Sequence, residues 1–171
     1  MTPDELRAKI RESPAHNRCD LSRLFADPRA FAAAVTGLAA PFRDDRVNVV
    51  AAIESMGLPL GGAVALQLSA GLVMLRKPNK VAWSVKRATY LDYKREAGAL
   101  EAVDDAMGKG DRVLIVDDWT ETGGQLKAAV ELVESMGAQV VGIAVLNADR
   151  PTKESKFFQQ YRLHSVFSYS A

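Results

Sequence analysis

Apolar positions along this chain fall into alternating short runs and helical repeats. Val113 to Val116 form an unbroken apolar run of the kind that becomes a fully buried strand. Leu126, Val130, Leu132 and Val133 then recur at helical spacing up to Met136. The same succession comes earlier. Val47 to Ile53 reads as a buried strand, Gly57 to Gln67 as a helix of small residues suited to close packing, and Gly71 to Arg76 as the next strand. Val140 to Leu146 reads as a further strand. Pro28 opens a helix to about Ala40 with Phe31, Val35 and Leu38 on one face. Leu6 and Ile10 mark a short helix over Pro3 to Arg11, and Ser13 to Asp20 is read as irregular. Trp83 to Tyr93 reads as two extended pieces of a hairpin or lid, and Glu96 to Gly108 as weakly helical or hairpin-like. Phe157, Phe158, Tyr161, Val166 and Phe167 show that the tail packs somewhere. Strands alternating with helices imply an α/β protein with a mostly parallel sheet flanked by helices.

The length of 171 residues suits one domain with a real core, and no repeat or linker divides it. A net charge of +1 leaves no strong field for nucleic acid or an anionic membrane, so any anion site must be local. Gly57 to Leu75, the longest weakly polar stretch, is broken by Pro59, four glycines, Gln67 and Ser69 and is not a spanning helix. Met1 to Ser13 is charged and has no apolar signal-peptide core. Cys19 is the only cysteine, which excludes an intrachain disulfide and fits a cytoplasmic location. His16 and His164 stand alone and are expected to be structural or exposed.

Candidate chemistry concentrates in residues 112 to 125. Asp117 and Asp118 stand where the strand is expected to end, Gly123 and Gly124 form a turn, and a helix follows. Ligands of open α/β sheets bind at the carboxyl ends of strands, and a helix N-terminus there offers N–H groups to an anion. Neighbouring carboxylates accept hydrogen bonds from vicinal hydroxyls, and a loop of backbone N–H groups with the Thr120 and Thr122 hydroxyls wraps a phosphate. The combination points to a ribose 5-phosphate. The competing reading of the acidic pair alone is a turn or cap.

The run resembles the signature of the type I phosphoribosyltransferases, with the adenine phosphoribosyltransferases looking nearest. Further segments match in order: Asp20 to Pro28 before the first long helix, and Ile53-Glu54-Ser55-Met56-Gly57 as the pyrophosphate loop. Arg76-Lys77-Pro78-Asn79-Lys80 is similar to a basic stretch, and Tyr90-Leu91-Asp92-Tyr93 to the flexible loop. The resemblance covers roughly residues 18 to 147.

It implies a single-domain Rossmann-like fold with a small hood (1–27), a core (28–147), a flexible lid loop and a C-terminal tail (148–171). It implies Mg²⁺-dependent transfer of a 5-phosphoribosyl group from phosphoribosyl pyrophosphate to a nitrogenous base, with a purine such as adenine preferred, and a homodimer. In this reading Asp117 and Asp118 hold ribose and Mg²⁺, and Thr120, Glu121, Thr122, Gly123, Gly124 and Gln125 cradle the 5-phosphate. Ser55, Met56 and Gly57, with Arg76, Lys77 and Lys80, take the pyrophosphate, and Asp92 is the catalytic lid acid. Arg18, Cys19 and Trp119 are placed at the base, although Trp119 fits equally as an anchor of the loop.

The chain departs from the family pattern at five places. Met56 stands for arginine, Asp92 for glutamate, Glu121 for alanine, Gln125 for threonine, and Arg18-Cys19 for a Phe-Arg pair. These departures set up two rivals: a catalytically weak sensor of phosphoribosyl pyrophosphate or a nucleotide, and a transferase retuned to a non-purine acceptor.

Overall fold

The computed structural model describes residues 1–13, 18–92 and 94–167, without the side chains of Ser13 and Arg18. Expectations that rest on His16, Tyr93 and the Arg18 side chain lie outside the described residues.

Helix α1 (Pro3–Arg7) starts with a reciprocal cap in which Thr2 Oγ1 accepts the Glu5 N–H at 3.2 Å and Glu5 Oε2 accepts the Thr2 N–H at 2.7 Å. Strands β1 (Arg11–Ser13) and β2 (Arg18–Asp20) pair antiparallel, so part of the segment read as irregular is extended. A short α2 (Ser22–Ala26) precedes α3 (Pro28–Ala39), whose first amides are capped by Asp27. Then come β3 (Val49–Ile53), α4 (Gly57–Leu68), β4 (Gly71–Leu75), β5 (Val85–Leu91) and β6 (Ala97–Val103). The chain continues with β7 (Arg112–Thr120), α5 (Gly124–Ser135), β8 (Gln139–Ala148), α6 (Arg150–Lys153) and β9 (Leu163–Ser165).

Five strands form one parallel sheet in the order β4-β3-β7-β8-β9, as the alternation of elements led us to expect. The chain leaves β3 outward through α4 to β4 and leaves β7 the other way through α5 to β8. The sheet therefore has its switch point between β3 and β7, the place where such sheets open a crevice. One core layer packs Leu126, Val130 and Val133 of α5 on Ile115 and Ile143. The other packs Leu38 of α3 and Leu60 of α4 on Val50, Leu114 and Phe42. Each such fully buried side chain contributes about 1.5–3 kcal/mol.

One expectation changes and two become definite. Strand β7 does not end at Val116 but runs on through both acids to Thr120, because β8 continues to pair with it as far as Ala148. Residues 85–91 and 97–103 form a single antiparallel hairpin, in which Leu100 and Ala102 join the α5 core layer. The apparent helical spacing after Glu96 thus came from one strand and the turn after it. The tail packs as expected: Leu163–Ser165 adds the outer strand beside β8, while Phe158 and Phe167 are buried in opposite core layers.

Candidate active site

The switch point is built by unequal strand lengths. β3 pairs with β7 only up to Ala52 opposite Val116, whereas β7 stays on β8 until Thr120. Asp117 to Thr120 therefore lie beyond the pairing with β3 and form one wall of a cleft of about 480 Å³, a size typical of small-molecule sites. Asp117 is 4% exposed, and its Oδ1 accepts the Asp118 N–H at 2.9 Å. Burial, reinforced by the Asp118 charge, pushes the Asp117 carboxyl well above the usual carboxylate range. Burial raises Asp118 as well. Among the described residues no cluster of three or more His, Cys, Asp or Glu could by itself cage a metal ion.

The facing wall comes from the turn after β3. Gly57, the first residue of α4, lies so close to β7 that an added Cβ would stand 2.9 Å from Asp117 Oδ1 and 2.9 Å from the Val116 carbonyl oxygen. Ser55 and Met56 line the cleft, and the Glu54–Ser55 peptide is cis. The Glu54 carboxylate holds Arg76 Nε at 3.0 Å and accepts the Lys77 N–H at 2.9 Å. Burial works against the Glu54 charge, yet these two bonds hold its pKa below the ordinary value. Lys77 lines the cleft; Arg76 and Lys80 do not. Of the three basic residues expected at an anion, one is thus in place and Arg76 is committed to Glu54.

The glycine loop closes the floor. Gly123 adopts φ +79, and a Cβ there would run into the ring of Phe158, so both backbone conformation and space demand glycine. Gly124 begins α5, and the Leu91 carbonyl at the end of β5 lies against it. Thr122, Gly124 and Gln125 face the cleft. Gln125 directs its amide toward the Glu54 carbonyl at 3.3 Å and links the two loops. Thr120 lines the cleft, its Oγ1 meets Thr152 Oγ1 at 3.3 Å, and Thr152 donates to the Glu121 carbonyl at 3.1 Å. Glu121 is half-buried at the cleft. Burial raises its pKa, and the carboxylates of Asp149, Asp118 and Asp92 raise it further.

The β5–β6 hairpin and the β1–β2 pair complete the rim. Tyr90, Asp92, Lys94 and Glu96 of the hairpin line the cleft. Asp92 Oδ1 accepts the N–H groups of Lys94 and Glu96, each at 2.8 Å, so this carboxylate shapes the hairpin turn. Cys19 and Trp119 also line the cleft, and Trp119 is half-buried there. Burial, then the charges of Glu12, Asp118, Glu121 and Asp149, push the Cys19 thiol up to about 12, which keeps it protonated and unreactive. His164 is structural: its Nε2 meets the Gly37 carbonyl oxygen at 3.0 Å. Lys94 and Thr152 were not singled out from the sequence, where Glu54 entered only as part of the pyrophosphate loop and Phe158 only as part of the packing tail.

A parallel α/β sheet with an acidic pair and a glycine loop at its switch point defines a protein built to hold a phosphorylated sugar. The model of the phosphoribosyl transferase domain matches residues 24–167, and the chain belongs to that family, as a type I phosphoribosyltransferase. It is 46% identical over 128 residues to an adenine phosphoribosyltransferase of Dinoroseobacter shibae, covering 74% of this chain and 70% of that one. It is 38% identical over 173 residues to the adenine phosphoribosyltransferase of Methylococcus capsulatus, covering 97% and 99%. The crystal structure of APRTase from Giardia lamblia complexed with 9-deazaadenine superposes with TM-score 0.92 at 32% identity, over 100% of this chain and 99% of that one.

Proposed function

We propose that the chain transfers the 5-phosphoribosyl group of phosphoribosyl pyrophosphate to adenine and releases pyrophosphate. The observation that carries this reading is the buried Asp117–Asp118 pair, which shares one cleft with the loop that opens α5. In the proposed roles the two carboxylates accept hydrogen bonds from the ribose hydroxyls. Thr122 to Gln125 take the 5-phosphate on backbone N–H groups at a helix N-terminus. Ser55 to Gly57 and Lys77 take the pyrophosphate. Cys19 and Trp119 border the acceptor, and residues 1–27 form the hood over it. Holding donor and acceptor in one water-poor cleft supplies much of the rate. Adenine as acceptor is supported by the relatives of this chain, which carry that activity in their names.

Asp117 and Asp118 also fit Mg²⁺, which takes one or two carboxylates and otherwise substrate oxygens and water. The charges of Asp118 and Glu121 bear on the Asp117 carboxyl, and a bound cation would offset them. When bound, the ion would neutralise charge on the departing pyrophosphate.

A homodimer is supported by an exposed apolar face at the sheet edge. Leu72 and Met74 alternate on β4 with 43% and 47% exposure, and Leu66 of α4 is 83% exposed. Such a face on a small protein marks an association surface. Sedimentation of Leu72→Asp beside the native chain tests it, a dimer in both ruling the face out. The lone Cys19 supports a cytoplasmic location. No helix among the described residues is long and apolar enough to cross a membrane.

The decisive experiment incubates the protein with phosphoribosyl pyrophosphate, a panel of bases, and Mg²⁺ or a chelator, and measures pyrophosphate. Adenine-dependent, chelator-sensitive release is expected. Release with another base alone would replace the acceptor. Tight donor binding without release from any base would leave a binding module in place of a transferase.

A further inference from the structure

Glu101 is a buried carboxylate that neither the core nor the proposed chemistry accounts for. It is 2% exposed and stands on β6 between the core residues Leu100 and Ala102. Taking a carboxylate out of water is costly, and a buried ion pair adds little stability that an apolar pair of similar volume would not. What such a group can supply is a fixed geometry. Glu101 lies opposite Arg87 in the β5–β6 ladder, and its Oε1 accepts the Arg87 Nε–H at 2.9 Å together with a terminal guanidinium N–H. Its Oε2 accepts the Asn79 N–H at 3.2 Å.

These bonds close on the basic turn after β4. The Glu101 N–H donates to the Arg76 carbonyl at 2.7 Å, and the Arg76 N–H donates to the Glu101 carbonyl at 2.8 Å. One residue thus holds Arg76 by its backbone and Asn79 by its side chain, with Lys77 and Pro78 between them. The ring of Pro78 fixes its own φ and restricts Lys77 to extended backbone. Glu54 Oε2 accepts the Lys77 N–H at 2.9 Å. Asn79 turns the chain at φ +64, a left-handed conformation that carries a steric cost for any residue but glycine. The turn therefore needs an outside hold, and the Glu101 carboxylate gives it. From this frame Lys77 reaches the cleft wall.

We propose that Glu101 is the positioning residue that aims Lys77 at the pyrophosphate end of the donor. The inference rests on the phosphoribosyl-transfer reading above. Glu101 touches no substrate; it acts through the turn from Arg76 to Asn79, while Arg87 neutralises its charge. Lys77 is the member of the basic stretch that lines the cleft, whereas Arg76 and Lys80 do not, so its direction governs how that end of the donor is held. A lysine stem is flexible and loses rotamer freedom when its ammonium binds. A backbone root that is already fixed leaves less to be ordered.

Calorimetry on the full chain with Mg²⁺ tests this, with inorganic pyrophosphate and ribose 5-phosphate as separate probes. Lys77→Met is expected to raise the pyrophosphate Kd about ten- to a hundredfold, the usual weight of one charge-assisted bond. Glu101→Gln leaves one acceptor oxygen for two partners, and the guanidinium, the stronger donor, takes it. The Asn79 N–H is then released, and the pyrophosphate Kd should rise about three- to thirtyfold while ribose 5-phosphate binds as before. Added to Lys77→Met, the same change should cost nothing more, as for two residues acting through one contact. Two uncharged pairs keep the test open if Glu101→Gln alone fails to fold. Arg87→Met with Glu101→Gln frees the amide oxygen for Asn79 and should bind pyrophosphate like the native chain. Arg87→Met with Glu101→Leu has no acceptor for Asn79 and should bind it weakly. Equal pyrophosphate affinity in these two pairs, or an equal loss on both probes in Glu101→Gln, would overturn the proposal and leave the transfer reading intact. A native chain that binds neither pyrophosphate nor phosphoribosyl pyrophosphate would overturn both.

Discussion

Gly57 and Asp117 meet across the switch point, so that the start of α4 has room only for a hydrogen beside the carboxylate: a Cβ on Gly57 would lie 2.9 Å from Asp117 Oδ1. The loop proposed for pyrophosphate and the acid proposed for ribose are therefore set against one another directly. Gly57→Ala must push one of them away. We expect a loss of about 1–3 kcal/mol of stability, as overpacking costs elsewhere, with a larger fall in kcat/KM than destabilisation explains. Urea unfolding beside steady-state kinetics checks it, and native kinetics in a stable variant would mean that the contact is unimportant.

Asp117 gives the ligand-free protein a pH dependence with a defined sign. Its folded pKa is raised by burial and by Asp118, so the folded state binds the proton more tightly than the unfolded chain. That contribution to stability is full below the unfolded carboxylate value of about 4 and is lost as pH rises through the folded value. Asp117→Asn keeps the oxygen that accepts the Asp118 N–H and removes the buried charge. Its melting temperature should exceed that of the native protein at pH 8, with the gap closing toward pH 4. Ribosyl transfer by the same variant should fall about ten- to a hundredfold through the lost charged hydrogen bond. A native protein more stable at pH 8 than its asparagine variant would contradict the burial argument.

Glu121 places a half-buried carboxylate where the proposed ligand brings negative charge. Two unit charges about 7 Å apart repel by roughly 2 kcal/mol in a partly screened site. Glu121→Ala is therefore expected to tighten phosphoribosyl pyrophosphate binding about three- to thirtyfold by calorimetry. Weaker binding would instead make Glu121 a ligand-holding residue.

Phe158 tests the contribution of the tail to the site. Its ring occupies the space over Gly123, and it is 4% exposed. Phe158→Ala should cost about 3–5 kcal/mol of stability. In the folded fraction, ribose 5-phosphate affinity should fall because the loop loses its support. Unchanged affinity would show that Gly123 holds its shape unaided.

Local pattern made the core of the site readable. The apolar run, acidic pair and glycine turn between Arg112 and Gln125 are contiguous, and contiguous chemistry survives in a sequence. What escaped depends on pairings between distant segments. Arg76 looked available to an anion because its partner Glu54 lies 22 residues away. The extension of β7 through Asp117 and Asp118 depends on β8, which follows it in the chain and has ten residues to offer. The support under Gly123 comes from Phe158, whose aromatic run showed only that it packs. Gln125 was read as a phosphate donor, yet its amide reaches the Glu54 carbonyl at 3.3 Å. In each case composition announces that a group needs a partner, and only the fold says which.

Glu101 joins three stretches of chain at one point. It is 2% exposed, its carboxylate binds Arg87 of β5 and the Asn79 N–H, and its backbone exchanges hydrogen bonds of 2.7 and 2.8 Å with Arg76. The turn that carries Lys77 and the hairpin that carries Lys94 are thereby riveted to the same buried carboxylate. Loss of the Glu101 carboxylate would untie both segments at once.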